Sequence, residues 1–310
     1  KQPRNLFFIR PRRFGKSIFL SMLYSYYDCN QKSKFEKLFG SLWIGQHPTA
    51  LQGKYQVLFL DFSQITGKID ILEERFNAYL SINLDAFVRQ YAQYYQEEKD
   101  EILSKTNYAD KLELVFKAAK AHEYPLYLII DEYDNFTNVV LNEHGEKVYH
   151  AITHADGFYR DVFKKFKGNF ERIFMMGVSP VTLDDVTSGY NVGWNISIKP
   201  EFDEMLGFST KDIIEMFTYY KKMGSIPADS NVEEIVEEMK PWYDNYCFAK
   251  QALEKEVRMF NCDMVLYYLR NYMDYGHAPE QMIDPNTKTD YGKMKKLLQF
   301  DKLDGERKGI

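Results

Sequence analysis

The chain has 310 residues, 45% of them hydrophobic and 27% charged, a balance that supports a proper core and excludes a disordered or fibrous protein. Lysine and arginine number 40 against 45 acidic residues, a net charge of -5, so the surface as a whole does not attract a polyanion and nucleic-acid binding would need a local patch. The cysteines Cys29, Cys247 and Cys262 form no paired framework, the six histidines lack metal-ligand spacing, and no apolar run reaches membrane-spanning length, which points to a reduced cytoplasm and no membrane.

The first apolar run, Leu6-Phe7-Phe8-Ile9, begins within a few residues of Lys1, so upstream sequence is expected before it. It leads into Arg10-Pro11-Arg12-Arg13-Phe14-Gly15-Lys16-Ser17 and then an apolar-periodic stretch to Tyr27, which reads as strand, loop and helix. In that setting Gly15-Lys16-Ser17 forms a phosphate cradle: unpaired first-turn N–H groups point outward, Lys16 brings an ammonium, and Ser17 a hydroxyl for Mg²⁺. A full Walker A loop has glycine where this chain has Arg10, and Pro11 has no N–H for a phosphate oxygen. On these residues alone a plain strand-to-helix turn with a solvated lysine is an equal reading.

Lys37 to Pro48 is mixed and turn-rich, and Val57 to Phe62 reads as a buried strand with Asp61 near its end, either at the ligand crevice of the carboxyl edge or, the favoured reading, capping the following turn. Ile69 to Leu103 and Tyr108 to His122 have helical spacing and are expected to form two surface helices. Within them, Glu97-Glu98-Lys99 is a solvated face. Leu126-Tyr127-Leu128-Ile129-Ile130 then runs into Asp131-Glu132-Tyr133-Asp134, the pattern of a Walker B strand, favoured here over an ordinary Asp-Glu turn because Gly15-Lys16-Ser17 stands in the same chain. Asp131 would hold the Mg²⁺ water shell opposite Ser17, and Glu132 would polarise a water for attack on a γ-phosphate.

Asp156 is expected to cap the helix of a basic segment ending near Phe170. Neighbouring His154 lacks a third ligand nearby, so a structural role is favoured over a metal or acid–base pair with Asp156, and the lysines read as a solvated face, with Lys164 to Arg172 the place to look for a polyanion contact. Arg172 to Pro180 is a further strand whose Ser179 either meets a γ-phosphate or is an ordinary turn residue, and Trp194 to Ile198 is another short strand. Strands alternating with helices predict a three-layer α/β sheet. Beyond it, a helix capped by Ser209 runs to about Met223, one starting at Ser230 is stopped by Pro241, and one spans Phe260 to Tyr275. From Gly276 onward prolines and glycines break the pattern.

The loop, the Ile130-Asp131-Glu132-Tyr133-Asp134 stretch and Gly177-Val178-Ser179-Pro180-Val181 together resemble the AAA-ATPase-like family of bacterial proteins, whose own loop also lacks the first glycine. Ser188-Gly189-Tyr190-Asn191, Leu206-Gly207-Phe208-Ser209 and Trp242-Tyr243-Asp244-Asn245-Tyr246 are similar to further signature turns of that family, with Asn245 where it often has glycine. The resemblance implies an ASCE-type P-loop NTPase sheet over 1–205, a smaller helical lid-like domain over 206–275 and a tail, 276–310, leading toward a nuclease-like domain of the PD-(D/E)XK superfamily. It implies ATP and Mg²⁺ as cofactors. Arg12, Arg13, Phe14, Gly15, Lys16 and Ser17 would bind the nucleotide, Ser17 and Asp131 the metal, and Glu132 and Ser179 would be catalytic. The expected function is a Mg²⁺-dependent ATPase of slow intrinsic turnover, or an ATP-driven switch. The alternatives are a P-loop-shaped protein-interaction module without turnover and the motor half of a nucleic-acid-processing enzyme.

Overall fold

A wholly buried strand, Leu126–Asp131, is the axis of the sheet, as its run of apolar residues requires of a strand covered on both faces. The computed structural model describes residues 4–154, 157–179, 193–244, 246–255 and 257–284. It divides into two units, Lys1–Ile9 with Lys16–Asn195, and Arg10–Gly15 with Ile196–Ile310.

The first unit contains β1 (Asn5–Ile9), α1 (Lys16–Tyr27), the short α2 (Phe35–Phe39) and α3 (Trp43–Gln46), and β2 (Gln56–Asp61). It continues with α4 (Leu72–Gln90), α5 (Lys99–Ser104), α6 (Tyr108–Ala121) and the axial β3 (Leu126–Asp131). Then come α7 (Asn135–His144), α8 (Glu146–Thr153), α9 (Phe158–Phe166), β4 (Arg172–Gly177) and the two-residue β5 (Trp194–Asn195). The five strands are parallel in the order β2-β3-β4-β1-β5, a mixed α/β architecture. Parallel strands bring their carboxyl ends to one edge, so Asp61 lies level with Asp131, and Ile9 with Gly177. Asp61 caps the turn after β2, its carboxylate accepting from the Ser63 N–H at 2.9 Å.

Leu58, Leu60, Leu128, Ile130, Ile173 and Met175 pack with Phe76, Leu80 and Leu84 of α4, Leu112 and Val115 of α6, and Tyr159 and Phe163 of α9. Phe76 is fully buried, its ring centroid 5.2 Å from that of Phe62, and burial of one such side chain contributes about 1.5–3 kcal/mol. The helical stretch from Ile69 to Leu103 is split rather than continuous. Tyr91 and Tyr95 are drawn inward after α4, where the Tyr91 hydroxyl meets the Val57 N–H at 2.8 Å and Tyr95 donates to Gln56 Oε1 at 2.7 Å. These buried tyrosine contacts outweigh the local helical periodicity.

The second unit holds α10 (Thr210–Lys222), α11 (Val232–Tyr243) and α12 (Cys262–Tyr275) around Ile213, Phe217, Ile235, Met239, Val265 and Tyr268. Ser209 and Asp212 form a reciprocal capping box, and Gly276 closes α12 in the left-handed conformation, φ +76°. Two boundaries differ from the expectation. Asn231, not Ser230, caps α11 through the Glu233 and Glu234 N–H groups, while the Ser230 carbonyl is taken by Lys221 Nζ at 2.7 Å. Pro241 lies inside α11, in its last turn, where its fixed φ suits a helix and a single hydrogen bond is lost. Among the described residues no helix is long and apolar enough to cross a membrane.

Candidate functional site

At the carboxyl edge of the sheet, β3 ends on Asp131 and turns sharply, because Glu132 adopts a left-handed backbone, φ +50°. A non-glycine residue held there costs of order 1–3 kcal/mol. The turn is secured by the Glu132 N–H donating to Asp131 Oδ1 at 2.9 Å and by the Tyr133 N–H reaching the Met176 carbonyl at 3.1 Å. The second oxygen of Asp131 accepts the Ser17 hydroxyl at 2.6 Å, and Lys16 Nζ lies 4.0 Å from Glu132 Oε1. Lys16 is 5% exposed and Glu132 23%. Four residues from positions 16–17 and 131–132 therefore converge on one spot.

Burial holds the Asp131 carboxyl above its ordinary range, with the Ser17 hydroxyl, the Glu132 N–H and Lys16 pulling it back and Asp61 adding to the rise. A buried carboxylate beside a hydroxyl is a hard oxygen pair. It suits Mg²⁺, which takes one or two protein oxygens and keeps water and phosphate for the rest of its shell. Among the described residues no group of three or more His, Cys, Asp or Glu converges as a metal site, and His154 Nδ1 faces His150 Nδ1 at 3.1 Å. The helix α1 that starts at Lys16 has no acidic residue in its first turn, so its amino end keeps its positive character toward an anion.

Ser179 follows β4 and is 8% exposed. Its N–H donates to Asp134 Oδ2 at 2.5 Å, and its carbonyl accepts the Tyr133 hydroxyl at 2.5 Å. Gly177 is required here because a Cβ would stand 2.4 Å from both Asp134 Oδ1 and the Tyr133 ring.

The loop residues Arg10 to Phe14 belong to the second unit and pack within it. Arg10, which occupies the glycine position of a standard loop, is fully buried. It donates to the carbonyls of Ser197 (2.9 Å), Phe202 (2.6 Å) and Asp203 (3.4 Å), and its guanidinium lies 3.8 Å from the Phe248 ring centre. Burial lowers its pKa to about 9, against the opposing pull of Asp203, so it stays charged at neutral pH. Phe14 is buried edge-on against Tyr246 and Phe248, at 4.7 and 5.7 Å. The first turn of α12 grips the loop backbone: Asn261 Nδ2 donates to the Arg12 carbonyl at 3.2 Å and the Asp263 N–H to the Arg13 carbonyl at 3.3 Å. Arg13 Nη1 pairs with Asp263 at 2.6 Å. Gly15 has φ +84° with open space where a Cβ would be, so its requirement is conformational rather than steric.

Sequence reasoning missed the anchoring role of Arg10, the clamp of Tyr133 and Asp134 on Ser179, and the hold of Asn261 and Asp263 on the loop. The available signals were an arginine in a glycine's place and a third acidic residue after Asp131-Glu132. In the basic segment, Lys164 pairs with Asp161 at 2.9 Å and Arg172 Nε donates to the Tyr55 hydroxyl at 2.9 Å. Asp156, Pro180, Val181, Ser188 to Asn191, Asn245 and the tail from 285 lie outside the described residues.

A family model described as Predicted AAA-ATPase matches residues 1–187. A protein of Azotobacter chroococcum described as "Uncharacterized protein in vnfD 5'region" is 23% identical over 284 residues, covering 89% of this chain and 47% of that protein. The chain thus spans about half the length of that relative.

Proposed function

The chain belongs to the predicted AAA-ATPase family, and on that footing we propose that it is a Mg²⁺-dependent ATP-binding module that hydrolyses ATP slowly or uses it as a switch. The observation that carries the reading is the 2.6 Å bond from Ser17 to Asp131, which unites the start of α1 with the end of β3 at the carboxyl edge of a parallel sheet. Lys16 would neutralise the β- and γ-phosphates, Ser17 and Asp131 would hold the metal, Glu132 would orient the attacking water, and Ser179 would meet the γ-phosphate. The metal, when bound, supplies charge neutralisation to the phosphates. The strand order, with β4 between the loop-bearing β1 and the carboxylate-bearing β3, supports an ASCE-type sheet. Arg12 is a further phosphate contact in this reading, Phe14 and Gly15 shape the loop, and Arg13 is engaged by Asp263. A nuclease-like companion would belong to a longer protein, and no nuclease chemistry is assigned to these residues.

Calorimetric titration of ATP with Mg²⁺ into the wild-type chain and Lys16→Ala tests it. Loss of a hydrogen bond to charged phosphate should weaken binding about 10- to 150-fold. Equal binding by both proteins would remove Lys16 from the site. One observation favours a second reading, a P-loop-shaped interaction module: the early half of the loop is occupied by contacts of Arg10 and Phe14. Absence of binding by either protein would favour that module.

A further inference from the structure

The nucleotide reading above leaves one buried acid without a task. Asp134 is fully buried, yet its carboxylate is surrounded by donors: the Val178 N–H at 3.1 and 3.2 Å from its two oxygens, the Ser179 N–H at 2.5 Å, and Asn138 Nδ2 at 2.9 Å. Burial raises its pKa and these donors lower it. Enclosing a carboxylate is costly unless such bonds compensate, and a bare strand exit has no need of one. Tyr133 completes the grip by donating to the Ser179 carbonyl at 2.5 Å, and its own carbonyl accepts the Tyr159 hydroxyl. Ser179 is therefore held at both its N–H and its C=O by the two residues that directly follow Glu132. The absence of a side chain at Gly177 is what lets Tyr133 and Asp134 lie this close to β4.

We propose that Asp134, assisted by Tyr133, is a positioning residue that locks Ser179 to the Glu132 turn, so that recognition of the terminal phosphate of a nucleoside triphosphate depends on Asp134 although it touches no ligand. This rests on the nucleotide reading of the previous section. A hydroxyl on a backbone held at both ends has only its own rotamer left to set, which is the rigidity that discrimination by one phosphate group demands. Glu132 and Ser179 then shift together or not at all.

The test is the ratio of ADP to ATP dissociation constants, each measured with Mg²⁺, for wild type, Asp134→Asn, Tyr133→Phe, Ser179→Ala and the Asp134→Asn/Ser179→Ala pair. Wild type is expected to prefer ATP. Ser179→Ala and Asp134→Asn should each erase most of that preference, about 10-fold or more for a hydrogen bond to a charged group, and the pair should lose no more than either alone. Tyr133→Phe, which removes only the hydroxyl, should lose part of it and serves if Asp134→Asn does not fold. A purely structural role would lower the melting temperature of Asp134→Asn without changing the ratio. An unchanged ratio in Asp134→Asn and Tyr133→Phe alongside a collapsed ratio in Ser179→Ala would overturn the clamp and leave the nucleotide reading intact. No binding of either nucleotide by wild type would overturn that reading and the clamp with it.

Discussion

Two turns follow parallel strands in this protein, one after β1 and one after β3, and they are secured in opposite ways. The turn after β3, Asp131 to Asp134, is held by residues of the adjacent strand end, with Met176, Val178 and Ser179 as its partners. The loop after β1, Arg10 to Gly15, is held by residues nearly 200 or more positions away, with Ser197, Phe202, Tyr246, Phe248, Asn261 and Asp263 as its partners. Both carry a left-handed non-glycine residue, Glu132 and Arg13. A departure from a motif therefore has a different meaning in each place. In the β3 turn Asp131 and Asp134 each hold a backbone N–H of the turn or of the adjacent strand end, whereas Arg10 ties its loop to distant backbone carbonyls.

The sharpest way to break this contrast is Arg10→Ala. It leaves three buried carbonyls and Asp203 without their cation, and should cost about 3 kcal/mol or more in chemical denaturation. Arg10→Lys should recover little, since an ammonium cannot fork to several carbonyls and stack on Phe248. A cost below 1 kcal/mol would show that aromatic packing of Phe14, not Arg10, anchors the loop. Next in size, Gly177→Ala should cost about 1–3 kcal/mol by overpacking against Tyr133 and Asp134, and a neutral result would mean that the β3 turn yields easily.

Asp131→Asn should act in the opposite direction on stability. Because burial raises the Asp131 carboxyl in the folded chain, the folded state binds more protons than the unfolded state at pH values just above the ordinary carboxylate range. Stability then falls as pH rises through that window. The variant should flatten this slope and gain stability at neutral pH while losing Mg²⁺-dependent nucleotide binding. Thermal melts from the ordinary carboxylate range up to neutral pH check the first part, and a slope equal to wild type would refute it. The smallest effect belongs to Asp263→Asn: its pair with Arg13 is partly exposed, so the loss should be about 0.2–1 kcal/mol, and a larger one would promote this contact to a principal anchor.

Sequence alone determined whatever depends on neighbours in the chain. Apolar runs gave β1, β2, β3 and β4 to within a few residues, helical spacing gave α1, α6, α10 and α12, and Lys16-Ser17 and Asp131-Glu132 marked the residues that the fold gathers. Those features are legible because strand burial and helix periodicity are local rules. Only the tertiary structure decided the rest. The break after α4 depends on tyrosines reaching β2, the roles of Asp134 and Gly177 depend on which strand lies beside β3, and the role of Arg10 depends on carbonyls supplied nearly 200 residues later. A side chain's chemistry is written in its type, but its partner is fixed by strand order and chain path, which no local pattern encodes.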